Sequence, residues 1–185
     1  KDINARLWDS ATGQQIINMK AHSGGEISTK FSPNGRRLVT TASEDSNARL
    51  WDTTTGQQIA VLESETRDGI RTAFSPDSRL VVTWSRDNVC LWDTSKGQQI
   101  FSDNGWVRSA EFSPDSQCLF IASGREGARL WGTVTGQQIA VLSGHVEEGA
   151  FSPDGELLAS GGFREVKLWQ RPRNIRAREL ALADA

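Results

Sequence analysis

Cysteine is scarce in this chain of 185 residues: two are present, Cys90 and Cys118. Both stand inside apolar, strand-like runs and outside any metal or redox spacing. They read as buried free thiols, which points to a reducing, cytoplasmic setting. Charge of one sign is lacking too. The formal net charge is −2, so no global field recruits nucleic acid or an anionic membrane. No apolar run approaches the length of a membrane span, and no signal peptide is expected from the opening residues. It begins at Lys1 rather than methionine, and the expectation is a piece of a larger protein.

Catalytic signatures are missing as well. There is no G-x-S-x-G elbow, Cys-x-x-Cys pair, His-Glu-x-x-His or P-loop. The many carboxylates fall in turns, where a solvated loop residue is the ordinary reading. No nucleophile and base are paired in the pattern. The expectation is a protein that is not an enzyme and carries no cofactor and no metal.

What the chain has instead is repetition. Thr-Gly-Gln-Gln-Ile occurs at Thr12–Ile16, Thr55–Ile59 and Thr135–Ile139, with a variant at Lys96–Ile100, at intervals of 43, 41 and 39 residues. A second beat, Phe-Ser-Pro, starts at Phe31, Phe74, Phe112 and Phe151, and a third, Leu-Trp, ends at Trp8, Trp51, Trp92, Trp131 and Trp169. A period near forty marks an array of one supersecondary unit, each too thin to bury its apolar face alone. Such arrays are platforms more often than catalysts.

One period can be read from its residues. Ile27–Phe31 leans to β and ends at Ser32-Pro33-Asn34-Gly35, where proline sets the first turn dihedral and glycine accepts a left-handed one. Leu38–Ser43 is rich in β-branched residues. A polar turn at Glu44–Asn47 leads into Ala48–Trp51, and Thr53–Gly56 turns into Gln57–Leu62. That makes four short antiparallel strands per unit.

The series His22, Phe31-Ser32-Pro33, Thr41-Ala42-Ser43, Asp45 and Trp51-Asp52 resembles a WD40 repeat, and the likeness extends over about residues 2–170. The resemblance implies an all-β fold of four-stranded antiparallel blades, arranged as in a β-propeller, with the Leu-Trp strand third and the Gln-Gln-Ile strand on the outer edge. Polar glutamines on an exposed edge then discourage strand addition. It also implies a buried relay of His22, a hydroxyl from Thr41 or Ser43, Asp45 and Trp51. An indole N–H and an imidazole need partners when buried. The later blades depart from this pattern: the second has no histidine, the third has Gly132 after Trp131, and the fourth is three residues short between His145 and Phe151. They are expected to rely on apolar packing and ladder bonds more than on the relay.

The expected layout is a half blade over 1–22, blades over 23–65, 66–104 and 105–145, a three-stranded blade over 146–172, and a tail over 173–185 that is helical or frayed. Seventeen strands do not fit a closed four-bladed ring, which takes sixteen. The expectation is an arc of about four and a half repeats, its remaining blades in the same or another chain.

The function implied is a protein-interaction scaffold or sensing module. Arg86, Arg125 and Arg164 precede an acidic residue in the turn between second and third strands, where the first blade has Glu44; Arg71 and Arg108 open inner strands. In the family these places share one face of the disc. With Trp106 as an aromatic anchor and Glu147 and Glu148 as an acidic sector, that face would take an acidic or phosphorylated peptide or protein segment. Pairing of each arginine with Asp87, Glu126 or Glu165 is the plainer reading. Trp84 reads as an anchor or as packing between blades. A propeller enzyme or small-ligand binder using the axial funnel is the alternative function.

Overall fold

The computed structural model describes residues 3–22, 24–63, 69–163 and 165–170, and all the regular structure in them is β. The tail expected over 173–185, and Arg164, lie outside the described residues.

Strands β1 (Ile3–Trp8) and β2 (Gln15–His22) form a two-stranded ladder. The first four-stranded unit contains β3 (Ile27–Phe31), β4 (Arg37–Ala42), β5 (Asp45–Asp52) and β6 (Gln58–Glu63). The second has β7 (Arg71–Phe74), β8 (Leu80–Trp84), β9 (Asn88–Asp93) and β10 (Gln99–Asn104). The third has β11 (Ser109–Phe112), β12 (Cys118–Ala122), β13 (Ala128–Gly132) and β14 (Gln138–Leu142). The last has β15 (Glu148–Phe151), β16 (Leu157–Gly162) and β17 (Glu165–Gln170). Each unit is an antiparallel meander in chain order. The first strands β3, β7, β11 and β15 are neighbours in succession, and the sheets do not close into a ring.

The apolar core lies between sheets rather than within one. Side chains alternate across a strand, so each sheet offers one face to the unit before it and the other to the unit after it. Leu38 and Trp51 meet Ala5 and Met19 of the opening ladder. From the opposite face of the same sheet, Val39, Ala48, Leu50 and Leu62 meet Ile70, Val81 and Trp92. The next interfaces join Val82, Trp84 and Phe101 to Val107, Phe112 and Leu119, then Phe120, Leu130 and Leu142 to Val146 and Leu158. Cys90 and Cys118 are buried within these layers, and the Cys90 thiol donates to Asn88 Oδ1 at 3.0 Å.

Packing between sheets also accounts for the most conspicuous repeat. Gly56 and Gly97 have φ of +71° and +70°, a region costly for residues with a Cβ. A Cβ at Gly56 would strike Ile17, and one at Gly97 would strike Ala60, each in the preceding outer strand. Gly13, in the turn of the opening ladder, would meet nothing within 4 Å, and its φ of +69° is the remaining constraint. The glutamines that follow are exposed where β6, β10 and β14 run along the outer edge of each sheet.

The turn after Phe-Ser-Pro varies in one respect. Where Gly35 has φ +71°, the second and third units place Ser78 at +66° and Ser116 at +63°. The serine hydroxyls are used across units: Asn34 N–H donates to Ser78 Oγ at 3.1 Å, and Asp77 N–H donates to Ser116 Oγ at 3.1 Å.

Candidate interaction site

The relay in the first full unit is continuous. Trp51 Nε1–H donates to Thr40 Oγ1 at 3.0 Å, and the same oxygen lies 3.0 Å from His22 Nε2. His22 Nδ1 lies 2.8 Å from Asp45 Oδ2, to which Arg49 Nη1 also donates at 2.5 Å. The indole donates to the hydroxyl, and His22 Nδ1 stands between the Asp45 carboxylate and Arg49 Nη1, which lies 2.5 Å from it. Burial alone would raise the Asp45 carboxyl, but the bonds from Arg49 and His22 outweigh it and hold its pKa below the ordinary value.

The hydroxyl is that of Thr40, and this corrects the expectation of Thr41 or Ser43. Trp51 stands opposite Leu38 in the ladder, so the face it shares is that of residues 38, 40 and 42. Thr41 belongs to the other face with Val39, and Ser43 Oγ accepts from Glu26 N–H at 3.0 Å. The same register keeps part of the relay in two of the units expected to rely on it less. Trp92 Nε1–H donates to Thr83 Oγ1 at 2.9 Å, and Trp169 Nε1–H donates to Ser160 Oγ at 2.8 Å. In the third unit the place falls to Ile121, and Trp131 Nε1 is buried without a hydrogen-bond partner.

The histidine place diverges further. Met19 pairs with Ala5 in the opening ladder as Asp103 pairs with Val89 in the second unit. His22 lies three residues past Met19, and three past Asp103 lies Trp106. By the same count Leu142, paired with Ala128, leads to His145. His22 is buried in the relay. Trp106 has turned outward and is 41% exposed. His145 bonds Glu147, its Nε2 lying 2.5 Å from Oε1.

Around Trp106 the structure gathers most of the residues singled out by sequence. The Arg86 and Arg108 guanidiniums lie 5.2 and 5.3 Å from the indole centroid, within cation–π range. Arg108 Nε pairs with Glu147 Oε2 at 3.1 Å, and Arg71 Nη1 donates to the Arg108 carbonyl oxygen at 3.3 Å. Gly124, bridged to Val146, lies against the indole edge. Arg125 is exposed in the same turn as Gly124, and Glu148 is exposed at the start of β15. Glu147 therefore does not stand as an open acidic sector: its bond with His145, and then the Arg108 charge, hold its pKa down. Among the other expected neighbours, Glu165 pairs with Lys167 at 3.3 Å. Trp84 is packing between the second and third units, 9% exposed.

The result is a half-exposed aromatic ring between two cations, one of them steadied by a carboxylate. Such a patch can bind an apolar or planar side chain and an acidic group together. The signal that would have found the clustering is the outer-strand register, which assigns Trp106 and His22 to one structural place.

A family model described as WD domain, G-beta repeat matches residues 13–52 and 136–170, the spans that carry His22 and His145. No curated protein matches the chain.

Proposed function

This chain belongs to the WD40-repeat family, and from that premise we propose that it is a protein-interaction module whose docking face is centred on Trp106. WD40 repeats are in general protein-interaction scaffolds. The observation that carries the finer reading is the exposed indole between Arg86 and Arg108, at a place where another unit buries a histidine. A large aromatic at an interface centre, flanked by arginine, is the composition of a binding hot spot. The partner fitting it is an acidic or phosphorylated segment of a protein, laid across Trp106 with its anionic group towards Arg71, Arg86 and Arg108. Further repeat units, in the same or another chain, belong on the last sheet. Val166 and Leu168 are 74% and 72% exposed there, whereas their counterparts Ala48, Leu50, Val89 and Leu91 are fully covered by the following unit.

The test is capture of the native partner by immobilised protein, then titration of that partner with two variants. Trp106→Ala should weaken binding by about 30-fold or more, the scale of an interface hot spot. Arg71→Glu with Arg108→Glu should abolish it by setting like charges against the ligand, while circular dichroism stays that of the parent. If both variants retain the same partner at parental affinity, this face is not the docking surface and the outer edges β6, β10 and β14 become the place to probe.

A further inference from the structure

Buried polar atoms without a hydrogen-bond partner are not spread evenly over the described residues. Four of those six atoms, Trp84 Nε1, Asp103 Oδ2, Arg129 Nε and Trp131 Nε1, belong to the two faces meeting between the second and third units. Asp103 Oδ2 is 3.0 Å from Arg129 Nη1 as an ion pair, yet it accepts no aligned hydrogen bond. Such a group left bare costs far more than a bond made, so buried polar atoms almost always have protein or water partners.

The corresponding interface before the first full unit shows how these atoms are otherwise served. There Trp51 Nε1 and Asp45 are linked through Thr40 and the His22 imidazole. At the later interface two substitutions remove that link together. Ile121 stands where Thr40 stands, and the Trp106 side chain turns outward from the place of His22. Three donors and one carboxylate oxygen are left, a set that suits water, which both accepts from N–H and donates to a carboxylate.

We propose that the interface between the second and third units holds internal water where the earlier interface holds the His22 imidazole, with Trp131 Nε1–H and Arg129 Nε–H as donors to it and Asp103 Oδ2 as its acceptor. The blades are then joined by two different devices, a side-chain relay in one gap and solvent in another. Trp106 is released for the surface because water does the work of the histidine.

The indole N–H groups report this directly. In the 15N-labelled protein, with Trp131 assigned by the peak lost in Trp131→Phe, the Trp131 indole should show a cross-peak to long-lived water. It should exchange with deuterium faster than the indoles of Trp51 and Trp92, which are bonded to Thr40 and Thr83. Ile121→Thr offers the missing hydroxyl, so the cross-peak should vanish and exchange should slow. A Trp131 indole in the parent with no water cross-peak, exchanging no faster than Trp92, overturns the proposal. So does a cross-peak untouched by Ile121→Thr in a variant whose Trp51 and Trp92 resonances are unmoved.

Discussion

Replacing Thr40 by valine keeps the shape of the side chain and removes one oxygen, which makes it the sharpest test of the relay. Thr40 is fully buried, as are its partners His22 and Trp51 to within a few per cent. The lost hydroxyl strands the Trp51 indole N–H and His22 Nε2, both sealed from solvent between two sheets. At about 1–3 kcal/mol for each stranded group, with some relief from the added methyl, the cost is about 2–4 kcal/mol. For a chain of this size that lowers Tm by roughly 5–15 °C. Thr83→Val strands only Trp92 Nε1 and should cost about 1–3 kcal/mol. Thr41→Val, one residue away on the opposite face, should cost clearly less than either. Urea titration read by tryptophan fluorescence and by circular dichroism measures all three, and agreement of the two probes shows whether the array unfolds as one unit. If Thr41→Val costs as much as Thr40→Val, or Thr40→Val shifts stability by less than about 0.5 kcal/mol, the buried relay is wrong.

Gly149→Ala should destabilise by about 1–3 kcal/mol, because the new methyl would overlap the fully buried ring of Phe120 across the interface between third and fourth units. The additional truncation Phe120→Leu should recover part of that loss in a thermal melt if the clash is the cause. Glu111→Gln should raise the urea midpoint at pH 7. Burial pushes the Glu111 carboxyl above its ordinary 4.5, against the weak pull of the Phe151 N–H. The folded state then holds the proton more tightly than the unfolded one, so parental stability falls as pH rises from 4.5 through the folded value. The advantage of the glutamine variant should therefore shrink to nothing below about pH 4, and an advantage independent of pH would refute burial of this charge.

The strand order was legible because turn chemistry and alternation recur at fixed intervals, and repetition corrects local ambiguity. A single Leu-Trp pair says little, but five in register with Phe-Ser-Pro define which strand is which. The identity of the relay hydroxyl was harder. Thr40, Thr41 and Ser43 are chemically alike, and the choice rests on which residue lies across from Trp51, a fact of register that a one-residue slip would invert. Clustering at the candidate site was legible in part. The arginines could be assigned to one face from their turns, whereas the ion pair of Glu147 with Arg108 depends on side-chain reach. The partner of Glu147 is also non-local: it lies 39 positions away, a full period, and no spacing rule within a unit reaches it.

One structural place, the position three residues past the outer-strand partner of β1, β9 or β13, has three fates in this chain. As His22 it is buried and serves the relay, as Trp106 it faces solvent between two arginines, and as His145 it holds Glu147 against Arg108. The last two are not independent, since Arg108 touches both the Trp106 ring and Glu147. A repeat array tolerates such divergence because each interface is stabilised by its own apolar layer, and the loss of one polar link does not spread to the others. Positions released from a structural duty in one unit become available for binding, and local departures from an otherwise consistent pattern collect where function does. In this chain the departures meet at one edge of the second and third units. Under the docking proposed at Trp106, a partner would meet the edge where the units differ most from one another.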